Sequence, residues 1–175
     1  WAINQEGRKV RPGEIGEIVA RGPNVMSEYW QMPDETEKTI INGVIHTGDL
    51  GYQDEEGYFY IVGRKKDMYR SGGENVYPAE IEQILLDHPK IENVAIIGVP
   101  DEKWGETGKA FIVVKKGEKL DKEEVLRFLE GKIARYKLPR HIQFVKELPL
   151  TASGKIKKSE LAKKEQNGRA GQKGN

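Results

Sequence analysis

The sequence predicts an α+β protein with a β-rich first part, residues 1–65, and a smaller second unit with a mixed sheet and helices, residues 66–165. Residues 14–22 alternate apolar and polar side chains between glycines, a pattern typical of a half-buried strand. In the second part, helix signals alternate with longer apolar runs that indicate central strands. Those runs are residues 94–99 and 110–114, and residues 141–145 are predicted to form a third strand.

In the first part, acidic residues after Pro33 favour the N-terminal end of a helix over residues 33–40. Residues 43–52 and 57–63 are predicted to be two strands of a hairpin, joined by a polar turn. Only three or four strands can be identified here, which is too few to close a barrel. We therefore interpret residues 1–65 as the end of a larger domain, and the start at Trp1 also suggests a piece of a longer chain.

The second part begins after a polar segment, residues 63–67, that suggests a domain boundary. A helix is expected to start at Pro78 and to stop before Pro89. Asp121, with Glu124 three residues later, has the spacing of an N-terminal helix cap. The apolar residues expected on the buried side of that second helix are Val125, Phe128, Leu129 and Ile133.

The C-terminal end is basic and polar. A last helix is predicted over roughly residues 157–164. Residues 166–175 are polar and rich in glycine, so we expect a disordered tail.

The composition excludes several classes of protein. The net charge is +1 although 33% of the residues are charged, so a dedicated nucleic-acid binder is not expected. Without cysteine there is no disulfide and no thiolate nucleophile or metal ligand. The sequence has no apolar run of membrane-spanning length and no signal-peptide pattern, so a cytoplasmic protein without a transmembrane segment is expected.

Two charged residues near the end of the first part are candidates for nucleotide binding. Asp49, in Thr47-Gly48-Asp49, could accept hydrogen bonds from both hydroxyls of a ribose, although the triplet alone favours an aspartate that closes the hairpin turn. Arg64 has a planar guanidinium that suits phosphate or ribose oxygens, and the alternative is a solvated linker arginine. No acid or nucleophile is patterned around His46 or His88, and both are predicted to be structural.

Two glycine-containing loops lie in the second part. Gly72 and Gly73, after Ser71, would let a narrow ligand pass close to the backbone, although they could equally form a simple tight turn. Residues 149–156 form a turn-rich loop that exposes Lys155 where a phosphate or carboxylate could arrive. A turn before a solvated basic helix is the alternative. Neither of the two common glycine-rich nucleotide motifs occurs.

In chain order, these segments resemble the adenylate-forming superfamily of acyl-CoA synthetases, peptide-synthetase adenylation domains and luciferases. The resemblance covers residues 13–162. Its segments are Gly13-Glu14-Ile15-Gly16-Glu17-Ile18, Tyr29-Trp30-Gln31-Met32-Pro33, His46-Thr47-Gly48-Asp49, Gly63-Arg64-Lys65-Lys66-Asp67, Gly72-Gly73-Glu74-Asn75-Val76-Tyr77-Pro78-Ala79-Glu80-Ile81-Glu82 and Thr151-Ala152-Ser153-Gly154-Lys155. The segment from Gly72 to Glu82, called here the glycine-pair segment, is most similar to the fatty acyl-CoA ligase branch. The same holds for Arg135-Tyr136-Lys137-Leu138-Pro139.

The resemblance implies a two-step enzyme that makes an acyl-adenylate from ATP and a carboxylic acid and then transfers the acyl group to CoA. It implies that residues 1–65 end the large adenylation domain and that residues 66–165 form a C-terminal lid domain. The phosphate-binding loop, the acyl pocket and the expected Mg²⁺ ligands belong to an N-terminal part outside this chain. That missing part would be a partner, and the fragment alone should be inactive.

The resemblance also implies roles for individual residues. Asp49 and Arg64 would bind the nucleotide, Lys155 would be the catalytic lysine of adenylation, and Lys66 would be the hinge. Ser71, Gly72 and Gly73 would line the CoA passage, and no residue here would bind a metal. Arg70 departs from the apolar residue expected at its position.

Two alternatives stay open: a non-catalytic binding module of the same fold, and an adenylation enzyme that loads a carrier protein.

Overall fold

The computed structural model describes residues 1–172, with side chains described for residues 1–167. The chain divides into two compact units, Trp1–Lys66 and Asp67–Asn175. Both contain helices and sheets, and the α+β class is confirmed. No helix among residues 1–172 combines the length and the apolar character that crossing a membrane requires.

The first unit is one antiparallel sheet with a single helix. Its elements are β1 (Ala2–Ile3), β2 (Gly16–Ala20), α1 (Pro33–Thr39), β3 (Ile40–Ile41), β4 (Val44–Gln53) and β5 (Phe59–Arg64). The long strand β4 lies at the centre, with β2 along one edge and β3 and β5 sharing the other. The predicted helix and the β4–β5 hairpin are confirmed, whereas the two-residue strands β1 and β3 are too short to leave a periodic signal.

The second unit is a mixed five-stranded sheet with three helices. Its elements are β6 (Tyr69–Ser71), β7 (Glu74–Val76), α2 (Pro78–Leu86), β8 (Ile91–Asp101), β9 (Gly105–Val114), α3 (Lys122–Leu129), β10 (His141–Val145) and α4 (Lys158–Gln172). The strand order is β10-β9-β6-β7, with β8 also on β9. Among the described strands of this unit, only the β9–β10 pair is parallel.

Helices cover both faces of this second sheet, which explains its continuous apolar strands. Alternate residues along a strand point to opposite faces. Val94, Ile96 and Ile112 pack with α2 and α3 residues, whereas Ala95 and Phe111 belong to a second cluster that includes residues of α4 and the segment before it. Strands buried on both sides therefore carry apolar residues at successive positions.

The caps and ends of the helices follow simple local chemistry, with one difference from expectation. The Asp121 carboxylate accepts a 2.7 Å hydrogen bond from the Glu124 backbone N–H, as the capping spacing predicts. The last helix runs eight residues beyond Lys164, to Gln172, where the sequence prediction placed a disordered tail. The 3.3 Å Lys164–Glu160 ion pair stabilises the turn before this extension, which contains good helix formers such as Glu165 and Ala170 but also two glycines, Gly168 and Gly171. Residues 173–175 of the predicted tail lie outside the described residues.

Candidate functional site

Asp49 and Arg64 are in direct contact in the first unit. They face each other across the β4–β5 ladder, and Arg64 Nε lies 2.9 Å from Asp49 Oδ1. The Asp49 side chain is 33% exposed and that of Arg64 is 52% exposed, so both polar groups remain accessible. An oriented carboxylate beside a guanidinium offers acceptors to hydroxyl groups and donors to phosphate or ribose oxygens. The structure therefore brings together two residues that lie fifteen positions apart in the chain.

A bulge in β4 displaces the segment that precedes Asp49. The β2–β4 pairing steps from Glu17–Leu50 to Val19–His46, so β4 carries two extra residues at this point. Thr47 Oγ1 donates a 2.7 Å hydrogen bond to the Ile18 carbonyl oxygen and accepts a 3.0 Å bond from the Asp49 backbone N–H. Side-chain bonds thus take the place of ladder bonds and keep Asp49 in a defined position.

Glu17 organises the same region, although the sequence analysis did not single it out. Its side chain is 9% exposed; Oε2 lies 2.9 Å from Lys65 Nζ and 3.3 Å from His46 Nδ1, and Oε1 accepts a 3.2 Å bond from the Gly48 backbone N–H. Burial works to raise the pKa of Glu17, but the bonds from Lys65 and His46 outweigh it and hold the pKa below its ordinary value. Glu17 lies two residues before the buried Val19, so the two side chains share one face of β2. A carboxylate on the buried face of a predicted strand is the sequence signal that could have revealed it.

We expect Glu17→Gln to lower the free energy of unfolding of this chain by about 1–3 kcal/mol at pH 6, because the amide keeps the shape but loses the charge-assisted bonds. The pKa of Glu17 is depressed by folding, so its stabilisation is present above the unfolded pKa and is lost as the pH falls through the folded pKa. Urea unfolding between pH 6 and pH 3 should show the difference shrinking on acidification. The exposed Glu56→Gln is the control; equal losses for both variants would contradict the role of Glu17.

Lys66 lies in a short 3₁₀ turn, Lys65–Asp67, and is exposed. It is the last residue of the first unit, directly after Lys65, which Glu17 holds. A change in backbone torsion at Lys66 would therefore begin next to a residue whose side chain is held in place by an ion pair.

Ser71, Gly72 and Gly73 form one end of the β6–β7 hairpin in the second unit. Gly72 and Gly73 both have positive φ angles, 62° and 91°, as a two-residue type I′ turn requires. Gly72 also lies against an aromatic ring, because a Cβ atom built on it would be 2.7 Å from Trp104 Cε3, while its N–H donates a 2.9 Å bond to the Trp104 carbonyl oxygen. The Arg70 guanidinium donates a 3.1 Å bond to the Gly73 carbonyl oxygen and so braces this turn.

A groove of about 740 Å³ begins at this hairpin. It is lined by Ser71, Trp104, Lys122, Leu126, Arg135, Tyr136, Leu138, Pro139 and Arg140. Its walls are mostly aromatic and aliphatic, with three cationic side chains among them, and the Arg140 guanidinium carbon lies 5.0 Å from the centre of the Trp104 ring. The Trp104 indole N–H is buried and has no hydrogen-bond partner among the described residues. The groove thus suits a ligand with apolar, hydrogen-bonding and anionic parts. Of its lining residues, the sequence analysis proposed Ser71 for ligand passage and none of the others.

The loop that carries Lys155 is held rigidly at its base. An antiparallel bridge joins Leu150 to Ile156, the Thr151 N–H bonds the Lys155 carbonyl oxygen at 2.7 Å, and Thr151 Oγ1 accepts a 3.0 Å bond from the Lys155 N–H. Gly154 has φ 81°, which completes the reversal. The Lys155 side chain is exposed, and within the described part of the chain its ammonium has no ion-pair partner. A fixed backbone therefore carries a cation that is free to meet an anionic ligand.

The other charged candidates have structural surroundings. His88 is buried, packs edge-on against Phe128 at 4.6 Å and has a pKa lowered mainly by burial. Among residues 1–167, whose side chains are described, no three carboxylate, imidazole or thiolate groups converge as metal ligands would.

Known proteins resemble this chain in both sequence and structure. Residues 80–155 match the AMP-binding enzyme C-terminal domain. The chain is 49% identical over 159 residues to an indoleacetate–CoA ligase of Aromatoleum aromaticum, covering 91% of this chain and 31% of the relative. The chain belongs to the adenylate-forming superfamily.

Two further relatives of this adenylate-forming chain show how widely the named acids vary. A long-chain-fatty-acid–CoA ligase of Bacillus subtilis is 48% identical over 161 residues, covering 92% of this chain and 29% of the relative. The o-succinylbenzoate CoA synthetase of Bacillus subtilis, solved with its acyl-adenylate intermediate, superposes with a TM-score of 0.86 at 38% identity, covering 91% of this chain and 33% of that one. The chain spans about a third of the length of these relatives, which are named for different acids.

Proposed function

We propose that the protein is an ATP-dependent, AMP-forming acid–CoA ligase, to which this chain contributes the end of the adenylation domain, residues 1–65, and the lid domain, residues 66–165. The observation that carries the proposal is that two different candidate sites lie on the second unit. Ile156, next to Lys155, packs in the apolar cluster on one face of the sheet, whereas Leu138 of the groove packs in the cluster on the other face. A reaction with two steps that use one lid in two poses requires such an arrangement.

In the first step, an oxygen of the substrate carboxylate attacks the α-phosphorus of ATP, and the bond to the pyrophosphate oxygen breaks. The Lys155 ammonium lies between the two anions and neutralises the charge that accumulates during attack. Positioned electrostatic stabilisation of this kind contributes about 3–4 kcal/mol, several hundredfold in rate. Asp49 accepts hydrogen bonds from the ribose hydroxyls, and Arg64 holds Asp49 and a ribose or phosphate oxygen.

In the second step, the CoA thiolate attacks the acyl carbonyl carbon and AMP leaves. The hairpin at Ser71, Gly72 and Gly73 lines the pantetheine passage, and the groove beyond Trp104 takes the rest of CoA. Its apolar walls suit the pantetheine and adenine, and its three cations, Lys122, Arg135 and Arg140, suit the phosphates. A torsional change at Lys66 exchanges the two poses. Magnesium would be bound, with ATP, by the part of the enzyme outside this chain. The proposed location of the enzyme is the cytoplasm.

The acid is a fatty acid in the more specific form of the proposal, on the basis of the glycine-pair segment and residues 135–139. The relatives described above are named for three different acids, at identities from 38% to 49%, so similarity over this part of the chain supports the ligase class more strongly than the fatty acid.

The test is an assay of the intact protein with ATP, CoA and a panel of indoleacetate, 2-succinylbenzoate and long-chain fatty acids. We expect AMP and an acyl thioester in equal amounts with one class of acid, and no turnover by the 175-residue chain alone. Turnover by this chain alone would contradict the division of roles. AMP formation with transfer only to a carrier-protein thiol would support the carrier-loading alternative, and ATP binding without turnover would support a binding module.

A further inference from the structure

Helix α2 carries two glutamates that reach two different segments far along the chain. Glu80 lies 2.7 Å and 2.8 Å, through its two carboxylate oxygens, from Lys137 Nζ. Glu82 lies 2.7 Å and 2.9 Å, through its two oxygens, from Lys158 Nζ. Each lysine is more than fifty residues away in sequence, so these contacts belong to the tertiary structure and not to the helix itself.

The Glu82–Lys158 pair is nearly buried. Its side chains are 14% and 16% exposed, and Glu82 Oε1 also accepts a 2.6 Å bond from the Ile96 backbone N–H. Lys158 is the first residue of α4, where the helix dipole disfavours a cation. A lysine in that unfavourable position needs a compensating partner, and Glu82 supplies it. The pair ties α4 to α2 three residues after Lys155.

The Glu80–Lys137 pair lies beside the groove. Lys137 belongs to a short 3₁₀ turn, Arg135–Lys137, and its neighbours Arg135, Tyr136 and Leu138 all line the groove while Lys137 does not. The Lys137 side chain is 19% exposed and that of Glu80 is 39% exposed. The pair therefore holds this turn through Lys137, the one of its three side chains that does not line the groove.

We propose that the two glutamates of α2 are separate positioning residues: Glu82 places the Lys155 loop for adenylation, and Glu80 places the groove wall for thioester formation. This inference rests on the proposed function. Neither carboxylate touches a substrate, and each acts through its lysine. One helix thus supports both candidate sites of the second unit, through contacts that can be broken one at a time.

The physical basis is the sensitivity of a reaction to the position of the groups that take part. A displacement of about 1 Å at a reacting group can cost about a hundredfold in rate. The side chain of Lys155 is long and flexible, so its reach depends on where the backbone of the loop is anchored. The Leu150–Ile156 bridge closes the loop locally, and the Lys158–Glu82 pair fixes the closed loop to the rest of the unit.

The experiment measures the two half-reactions of the intact enzyme separately, as pyrophosphate release in the first and as thioester formation from supplied acyl-adenylate in the second. We expect Glu82→Gln to slow adenylation by about 10- to 100-fold and to leave the thioester step within about twofold. Glu80→Gln should do the reverse. A change that only destabilises the fold would lower both half-reactions by the same factor, and that result would overturn the proposal.

A double-variant comparison tests whether each glutamate acts through its lysine. Lys158→Gln should slow adenylation as Glu82→Gln does, and the double variant should be no slower than either single one. Lys164→Gln, which breaks the exposed Lys164–Glu160 pair of the same helix, is the matched control and should change neither step. Independent, multiplying effects of Glu82→Gln and Lys158→Gln would contradict action through the pair. Lys155→Ala is measured alongside: normal adenylation in that variant refutes the proposed function, whereas a defect there with normal Glu82→Gln refutes only this inference.

Discussion

Lys155→Ala is expected to reduce acyl-adenylate formation by several hundredfold or more in the intact enzyme while leaving thioester formation from supplied acyl-adenylate nearly unchanged. The reason is geometric. In the proposed mechanism the exposed ammonium on this braced loop neutralises charge at the α-phosphate, and none of the loop residues lines the groove proposed to take CoA. Loss of an electrostatic contribution of about 3–4 kcal/mol corresponds to this change in rate.

The measurement is pyrophosphate release with ATP and acid, compared with thioester release from acyl-adenylate and CoA. Lys157→Ala is the matched control, because Lys157 is an exposed lysine two residues away, outside the turn. Equal losses in the two half-reactions of Lys155→Ala would show that the lysine supports the fold or both poses and is not specific to adenylation.

Gly72→Ala is expected to give the opposite pattern, a loss of about 10-fold or more in thioester formation with adenylation preserved. A Cβ atom at this position would lie 2.7 Å and 2.9 Å from two carbons of the Trp104 ring, so the ring must move within the groove that it lines. The positive φ of 62° adds a backbone cost of about 1–2 kcal/mol for any residue with a side chain.

Gly73→Ala separates these two effects. Gly73 has a similar positive φ of 91°, but a Cβ atom there would meet nothing within 4 Å. We expect Gly73→Ala to show the backbone cost as a lower unfolding temperature and a smaller loss of thioester formation than Gly72→Ala. Thioester rates that fall equally in the two variants would mean that the contact with Trp104 is irrelevant to the second step.

Local features of the fold could be predicted where the signal is local. The Asp121 cap, the proline that begins α2 and the hairpin at residues 44–64 follow from residue types within a few positions of one another. The strands β6 and β7 are only three residues long. They form because Gly72 and Gly73 make a tight turn between them and because β6 joins the sheet through the pairing of Ser71 with Gly105. A three-residue strand has too few positions to show alternation.

The residues of the candidate sites also fall into two groups, those with a local sequence signal and those without one. Asp49, Arg64, Gly72 and Lys155 could be selected because short motifs surround them in the sequence. Glu17 could not be selected in that way, because its three partners come from positions 29 to 48 residues away. The groove is likewise assembled from four separate stretches of chain, and Ser71 is the one lining residue that the sequence analysis proposed for ligand binding.

The sequence by itself determined the types and order of the main elements, the turns, and the chemical groups available for binding, because these depend on propensities and patterns over a few residues. Only the tertiary structure decided which charges meet: Asp49 with Arg64, Glu17 with Lys65, and Glu82 with Lys158. Strand register and the packing of helices on the sheet set those distances. They result from the burial of many apolar side chains at once, and no single segment encodes that sum.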